Sequence, residues 1–147
     1  MTFFTSEYEC KLDAKGRLVL PARIKSNLPG ASGNELVIQR GFDPCLILYP
    51  MVEFNKIYSK IAGLSEFNEE YRKFQRNFFR GSSTVELDAN ARLLVPKPML
   101  QYAQLKKEVI VIGMGNKIEI WNPELYNQQL IDDPAEFSDM ARKLLDE

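Results

Sequence analysis

Histidine is absent from this chain of 147 residues. Its absence excludes Ser–His–Asp triads, Cys–His nucleophile pairs and zinc sites built on imidazole. Cysteine is scarce, and the two that occur, Cys10 and Cys45, are too far apart for a CxxC metal motif. We expect both to be buried as small hydrophobic residues. Glycine-rich loops with the spacing of dinucleotide-binding or P-loop motifs are also missing. The sequence therefore predicts a protein that is not an enzyme and that uses no cofactor and no metal.

Long apolar runs are missing as well. No stretch approaches the roughly 18–20 apolar residues that span a bilayer. The N-terminal sequence shows no basic stretch followed by an apolar run, which is the pattern of a signal peptide. We therefore expect a cytoplasmic protein with no membrane partner.

The net charge of −1 is distributed unevenly. Residues 11–25 carry five basic side chains against one acidic side chain, Asp13, whereas residues 124–147 carry seven acidic side chains against two basic ones. A basic segment on a neutral chain binds nucleic acid when the fold gathers its charges on one face. Charge alone also fits an ordinary solvated hairpin, so this alternative stays open.

The most informative feature that is present is a repeat. Residues 3–17, FFTSEYECKLDAKGR, return 75 positions later as residues 78–92, FFRGSSTVELDANAR. The two copies share a Phe-Phe pair, a Leu-Asp-Ala segment and an arginine, and the match extends to Pro21 and Pro96. A match of this length predicts two copies of one supersecondary unit, which bury their apolar faces together.

Strands and turns begin each copy. Alternating apolar and polar residues over 8–12 predict a strand, and residues 84–87 are its counterpart. Asp13–Gly16 predicts a tight hairpin turn, because Asp bonds its own backbone in turns and Gly accepts a positive φ. Asp88–Ala91 is the matching turn of the second copy.

Helices and further strands complete the pattern. A short helix follows Pro21 and another follows Pro96, and each copy then continues into two more strands, with a loop over residues 29–33 in the first copy. Apolar residues at helical spacing predict two helices between the copies and a C-terminal helix over Pro134–Leu145. The predicted class is α+β, divided into a first unit (1–50), a helical insert (51–77), a second unit (78–123) and a C-terminal helical segment (124–147).

The repeated Asp-x-x-x-Arg pattern suggests a chemical role. A tight hairpin closed by Asp13 and Gly16 presents Lys15 at its tip, and Arg17 is the first residue of the return strand. Asp13 can cap the turn amides and orient the guanidinium, and Arg offers two parallel donors to a guanine edge or a phosphate. A two-stranded ribbon also fits the major groove of B-DNA. The same spacing fits a purely local salt bridge, and spacing alone does not separate the two interpretations.

The segment Leu12-Asp-Ala-Lys-Gly-Arg-Leu-Val-Leu-Pro21 resembles the DNA-recognition hairpin of AbrB-like, swapped-hairpin β-barrel proteins. The tandem arrangement narrows the resemblance to the MraZ family of transcriptional regulators. Three further segments support it, namely Pro44-Cys-Leu-Ile-Leu-Tyr-Pro50, Phe74-Gln-Arg followed by Phe79-Arg-Gly81, and Ile118-Glu-Ile-Trp121. The resemblance covers about the whole chain.

The resemblance implies two tandem swapped-hairpin AbrB-like β-barrel units that form a pseudo-dimer within one chain. It implies ring-shaped homo-oligomers that bind double-stranded DNA at promoter repeats of a division and cell-wall gene cluster. It implies no catalysis and no cofactor, and it places the protein in the cytoplasm, associated with the nucleoid. A neighbouring rRNA methyltransferase is a further candidate partner. The alternative is a protein–protein interaction module whose DNA binding is weak or vestigial.

Matching positions give the DNA-binding candidates, which are Asp13, Lys15, Gly16, Arg17, Arg23, Lys25, Asp88 and Arg92. Arg17 is expected to be the main contact, and Asp13 and Gly16 to shape the turn. The second copy departs from the family pattern at Ala91, which replaces Gly, and at Leu100, which replaces a usual Arg; Asn90 stands where the first copy has Lys. The second hairpin has lost charge, so DNA contact and mere completion of the barrel both stay open for it.

Overall fold

The two sequence copies fold into the same order of elements. The computed structural model describes residues 3–29 and 35–146. The first copy forms β1 (Glu7–Lys11), β2 (Arg17–Val19), α1 (Ala22–Ser26), β3 (Glu35–Arg40), β4 (Leu46–Pro50) and α2 (Met51–Ala62), and α3 (Glu69–Arg80) follows. The second copy forms β5 (Ser82–Glu86), β6 (Arg92–Leu94), α4 (Lys97–Tyr102), β7 (Glu108–Gly113), β8 (Ile118–Trp121) and α5 (Pro123–Asn127), and α6 (Pro134–Leu145) comes last. The predicted mixture of strands and helices is confirmed, and the predicted loop lies outside the described residues from residue 30 onward.

The two copies exchange strands. β1 of the first copy pairs antiparallel with β7 of the second, and β5 of the second copy pairs antiparallel with β3 of the first. Antiparallel pairing of β4 with β8 joins the halves into one six-stranded sheet in the order β1-β7-β8-β4-β3-β5. β2 and β6 pair antiparallel as a separate two-stranded ribbon. Within the described residues, each copy therefore depends on the other to complete its strand pairing.

An approximate two-fold axis relates the copies. The β2–β6 pair and the β4–β8 pair each join equivalent strands, and the β1–β7 pair is equivalent to the β5–β3 pair. In the ribbon, Leu18 lies directly opposite Leu93, and both side chains are fully buried. The main core continues this pattern with equivalent residues of the two copies, including Leu12 and Leu87, Leu20 and Val95, Ile24 and Met99, and Ile38 and Val111. The core is thus shared between the copies.

The predicted hairpin turn forms, but the strand that leaves it pairs with a strand of the other copy. In the described chain the two arms of the hairpin share only one isolated β-bridge, between Leu12 and Leu18. β2 continues along β6 instead. The prediction of a ribbon made by one hairpin is therefore wrong, because the ribbon takes one strand from each copy. Turn residues determine the reversal of the chain, but they carry no information about a partner strand 75 residues away.

The helical insert covers the outer face of the sheet. Phe54 of α2 and Phe78 of α3 pack on Val37 and Tyr49 of the sheet. The two phenylalanine rings stack with their centroids 6.2 Å apart, which ties the helices together. The Asn68 side chain caps the first turn of α3 by accepting from backbone N–H groups. The aromatic residues of the insert thus serve as a second, smaller core.

The last two helices differ in packing. Tyr126 of α5 packs against Trp121, with 5.9 Å between ring centroids. None of the described residues of α6 is buried, and its large apolar side chains Phe137, Met140 and Leu144 are exposed. None of the helices in the described parts of the chain is long and apolar enough to cross a membrane.

Because the two copies share one core, a destabilising substitution in the first copy should also destabilise the second. Leu18→Ala removes a fully buried side chain, so we expect the free energy of unfolding to fall by about 2–5 kcal/mol. The only tryptophan of the chain, Trp121, lies in the second copy and reports on it by fluorescence. Urea unfolding followed at Trp121 measures the effect.

Leu144→Ala on α6 is the matched control, because Leu144 is 61% exposed. We expect it to change the free energy of unfolding measured at Trp121 by no more than about 0.5 kcal/mol. A Trp121 transition that Leu18→Ala does not move would show that the copies unfold independently.

Candidate nucleic-acid interface

One carboxylate organises the turn between β1 and β2. The Gly16 N–H donates to the Asp13 carbonyl (3.0 Å), and the Asp13 N–H donates to the Arg17 carbonyl (2.9 Å). Oδ1 of Asp13 accepts from the backbone N–H groups of Lys15 and Arg17, both at 2.9 Å. Oδ2 accepts from Nε of Arg17 at 2.7 Å. Asp13 therefore fixes both the path of the turn and the orientation of the guanidinium.

The second turn repeats this geometry. Oδ1 of Asp88 accepts from the backbone N–H groups of Asn90 (2.8 Å) and Arg92 (2.9 Å), and Oδ2 accepts from Nε of Arg92 at 2.7 Å. In each turn the arginine side chain is 31% exposed. Within the described residues each ion pair uses Nε alone, so the terminal nitrogens of both guanidinium groups remain available to an acceptor.

These contacts lower the pKa of Asp13 and Asp88 below the ordinary value of 3.8. The largest cause is the backbone hydrogen bond from the arginine four residues on; the side-chain hydrogen bond and the charge of the same arginine lower the pKa further. Hydrogen bonds to a carboxylate favour its charged form. Both carboxylates are therefore ionised at neutral pH and hold their arginines in place.

The two turns differ at the residue with a left-handed backbone. Gly16 has a φ of +80°, which glycine adopts without steric cost. Ala91 occupies the equivalent position with a φ of +58°. A Cβ in this conformation costs roughly 1–2 kcal/mol. The second turn thus keeps the shape of the first although its sequence suits that shape less well.

The β2–β6 ribbon carries one turn at each end. The Gly16 carbonyl accepts from the Val95 N–H (3.0 Å), and the Ala91 carbonyl accepts from the Leu20 N–H (3.1 Å). Each turn is therefore anchored to the strand of the other copy. The structure thus joins the two Asp-x-x-x-Arg segments, 75 residues apart in sequence, through one short ribbon.

The register of the ribbon places both arginines on one face. Arg17 lies opposite Leu94, and Arg92 lies opposite Val19. Residues directly opposite in an antiparallel pair share a face, and side chains alternate between faces along a strand. These four side chains therefore lie on the outer face of the ribbon, and the buried leucine pair lies on the inner face.

Arg23 and Lys25 belong to the end of the ribbon that carries the second turn. Both lie on α1, which begins just after Leu20, and the Leu20 N–H bonds the Ala91 carbonyl. The sequence groups them with Lys15 and Arg17 of the same copy, but the exchange of strands separates the two pairs. The described candidates thus form one group around Arg17 and another around Arg92.

Two lysines that sequence reasoning did not select lie beside the first turn. The Leu12 N–H donates to the Lys107 carbonyl at 2.7 Å, and Lys106 and Lys107 line a shallow cavity together with Asp13 and Gly16. Both lysines are exposed. They come from the second copy through the β1–β7 pairing, so no pattern near the first hairpin signals them.

The strand pairs that lead into the turns differ in charge. Lys11 faces Glu108 before the first turn, whereas Glu86 faces Glu35 before the second. Opposite charges across a ladder stabilise it, and like charges destabilise it. The first turn is therefore the more cationic and the better supported of the two.

The remaining reactive groups form no second centre in the described chain. No cluster of three His, Cys, Asp or Glu side chains fit to hold a metal ion occurs among residues 3–29 and 35–146. Cys45 is buried as predicted, and burial together with the charges of Glu119 and Asp43 raises its pKa to about 12. Cys10 is only half-buried, and its burial also raises its pKa. Both residues are protonated thiols at neutral pH.

Comparison with known proteins gives a consistent result. A family model described as "MraZ protein, putative antitoxin-like" matches the chain twice, over residues 3–77 and 78–147. The transcriptional regulator MraZ of Cytophaga hutchinsonii is 59% identical over 145 residues, which cover 99% of this chain and 96% of that protein. The protein of that name from Christiangramia forsetii is 40% identical over 139 residues, 94% of this chain and 90% of its own. The one from Carboxydothermus hydrogenoformans is 37% identical over 143 residues, 97% of each chain.

The left-handed residues predict opposite effects of exchanging Gly and Ala. Ala91→Gly relieves the Cβ strain and is expected to stabilise the fold by about 0.5–1 kcal/mol after the greater entropy of the unfolded glycine is counted. Gly16→Ala is expected to destabilise it by about 1 kcal/mol or more, because a Cβ there also meets Leu100 Cδ1 at 3.3 Å. Urea denaturation measures both, and a neutral result at both positions would contradict the assigned strain.

The carboxylate contacts predict a pH dependence. Because the pKa of Asp13 and Asp88 is lowered on folding, their stabilising effect is present above the unfolded pKa and is lost as the pH falls through the folded pKa. Carbon-13 NMR titration of the carboxyl groups should give values below 3.8 for both.

Arg17→Ala separates the causes of this shift. The pKa of Asp13 should rise only part of the way, because the backbone N–H of residue 17 still donates. Asp88 serves as the internal control and should not change. A pKa of Asp13 that returns fully to its ordinary value would show that the backbone hydrogen bond is not the main cause.

Proposed function

The chain belongs to the MraZ family, and on this basis we propose that it is a transcriptional regulator that binds promoter DNA in a sequence-specific way. The relatives described above carry the name of transcriptional regulator. Such a role needs a surface that recognises DNA and requires neither a catalytic group nor a cofactor.

The observation that carries the proposal is the pair of oriented arginines on one ribbon. Asp13 and Asp88 hold Arg17 and Arg92 through Nε, which leaves the donor pair of each guanidinium for a guanine edge or a phosphate. A two-stranded antiparallel ribbon fits the major groove of B-DNA. Fixing the side chains before binding reduces the entropy lost when the complex forms.

The flanking basic residues suit the phosphate backbone. Arg23 and Lys25 stand at one end of the ribbon, and Lys106 and Lys107 stand at the other. Contacts to phosphates position a protein on the duplex and supply most of its salt-dependent affinity. In this proposal Lys15, at the tip of the first turn, also contacts the phosphate backbone, and Gly16 allows that turn to approach the groove closely.

We further propose that the exchange of strands represents the swapped-hairpin AbrB-like barrel, with the two copies as an intrachain pseudo-dimer. In this view residues 1–50 and 78–123 are the two barrel units, residues 51–77 are a helical insert, and residues 124–147 are a C-terminal segment. The approximate two-fold relation of the β2–β6 and β4–β8 pairs supports this interpretation.

A ring-shaped homo-oligomer on promoter repeats of a division and cell-wall gene cluster is the assembly we propose. The exposed apolar side chains of α6, Phe137, Met140 and Leu144, favour a role in protein contacts. Binding several repeats at once raises the overall affinity by roughly 10²–10⁴ over a single site. DNA binding of this kind would place the protein on the nucleoid in the cytoplasm.

The same exposed face of α6 favours one alternative, a protein–protein interaction module with weak DNA binding. A neighbouring rRNA methyltransferase is the candidate partner for it. Pull-down with the purified protein in the presence of nuclease separates direct contact from association through DNA.

Arg17→Ala tests the main proposal. We expect it to weaken binding to DNA from upstream of the protein's own gene by at least about tenfold, and Arg92→Ala to cause a smaller loss because the second turn has fewer basic neighbours. Fluorescence anisotropy with a scrambled competitor and a salt series measures the affinities, and Trp121 fluorescence verifies folding.

Arg76→Ala is the matched control, because Arg76 is an exposed arginine on α3 in the insert. It should bind DNA as the unchanged protein does. A folded Arg17→Ala variant with unchanged affinity would refute the role of Arg17, and equal losses at Arg17 and Arg92 would show that both ends of the ribbon read DNA alike.

A further inference from the structure

The outer face of the β2–β6 ribbon carries two kinds of side chain on crossed diagonals. Arg17 and Arg92 occupy one diagonal, and Val19 and Leu94 occupy the other, because Arg17 faces Leu94 and Val19 faces Arg92 in the register. Each row across the ribbon therefore combines one guanidinium with one aliphatic side chain. The approximate two-fold axis of the ribbon exchanges the two rows.

The aliphatic pair, which lies at the last residue of each strand of the ribbon, is strongly exposed. Val19 is 54% exposed and Leu94 is 57% exposed, whereas their strand neighbours Leu18 and Leu93 are fully buried. Single exposed aliphatic residues are common on protein surfaces and need no explanation. Here two such residues flank the arginine pair on the same face, so whatever binds the arginines also meets the aliphatic pair.

DNA offers one apolar feature that matches this face. In the major groove each base pair presents hydrogen-bond donors and acceptors, and thymine alone adds a methyl group at C5. Residues two apart on a strand are about 6.8 Å apart, which is about two base steps of 3.4 Å. A ribbon laid along the groove can therefore place Val19 or Leu94 on a thymine methyl while its neighbouring arginine lies at a nearby base pair or phosphate.

We propose that Val19 and Leu94 are specificity-determining residues that recognise the C5-methyl groups of two thymines, one on each side of the ribbon's two-fold axis. This inference rests on the proposed function, since it assigns further residues to the same DNA-binding surface. It assigns to the arginines the guanine edge or phosphate contacts and to the aliphatic pair the discrimination of thymine from cytosine. The preferred sites should contain paired thymines next to the positions that the arginines contact.

The test removes the methyl groups from the DNA. Duplexes enriched from a random library by the full-length protein define the preferred site, and each thymine in it is then replaced by deoxyuridine, which pairs identically but lacks the methyl. We expect about 3–10-fold weaker binding for deoxyuridine at the two contacted positions, and no change at the other positions.

The protein variants make the effect specific. Val19→Ala combined with Leu94→Ala should weaken binding to thymine DNA and abolish the preference over deoxyuridine. Val19→Ser combined with Leu94→Ser, which carries hydroxyl groups and no methyl group, is the second variant in case the alanine variant is unstable. Val52→Ala is the matched control, because Val52 of α2 is 50% exposed, and it should keep both affinity and preference.

The outcomes separate this inference from the proposed function. Three results would overturn the role of Val19 and Leu94 while leaving promoter recognition intact. They are sequence-specific binding that deoxyuridine does not weaken, a preferred site without thymine, and a methyl preference that survives in the folded double variants. Enrichment of no sequence over scrambled DNA would overturn the proposed function and this inference with it. A methyl preference lost only in the Val19 and Leu94 variants supports both.

Discussion

The pairing of β2 with β6 is the constraint on which the rest of the structure depends. Each strand is only three residues long and comes from a different copy, yet the pair sets the positions of both turns, both short helices and the central leucines. Burial of Leu18 against Leu93 stabilises this pairing, because it removes two large apolar side chains from water at the centre of the shared core. The candidate DNA-binding face lies on the reverse side of the same strands, so the core and the candidate site share one backbone.

Local chemistry explains why the turns could be predicted from sequence. Asp13 and Asp88 bond backbone groups two to four residues away, and such contacts depend only on residues inside the turn. The positions of the helices were also close to expectation, because α2, α3 and α6 have the apolar spacing of helices. The repeat itself predicted that the two copies share a core.

The strand partners could not be predicted in the same way. The pairing of β1 with β7 and of β5 with β3 joins segments far apart in sequence, and alternating residues define a strand without naming its neighbour. For this reason Lys106 and Lys107 were missed, and the position of Arg23 and Lys25 at the Arg92 end of the ribbon could not be foreseen. The outward position of Val19 could be predicted, since Val19 alternates with the buried Leu18 and Leu20. Its place beside Arg92 could not, because that depends on the pairing of β2 with β6.

Because both halves of this two-fold unit lie in one chain, a substitution can occur in one half without occurring in the other. In a dimer of identical chains every substitution occurs twice, so the complex is the same when turned end for end on a duplex. Here Lys11 faces Glu108 at one end while Glu86 faces Glu35 at the other, and Gly16 is matched by Ala91. Such a protein has polarity: bound to DNA in the proposed way, it would distinguish upstream from downstream, and adjacent copies on successive sites would all point the same way.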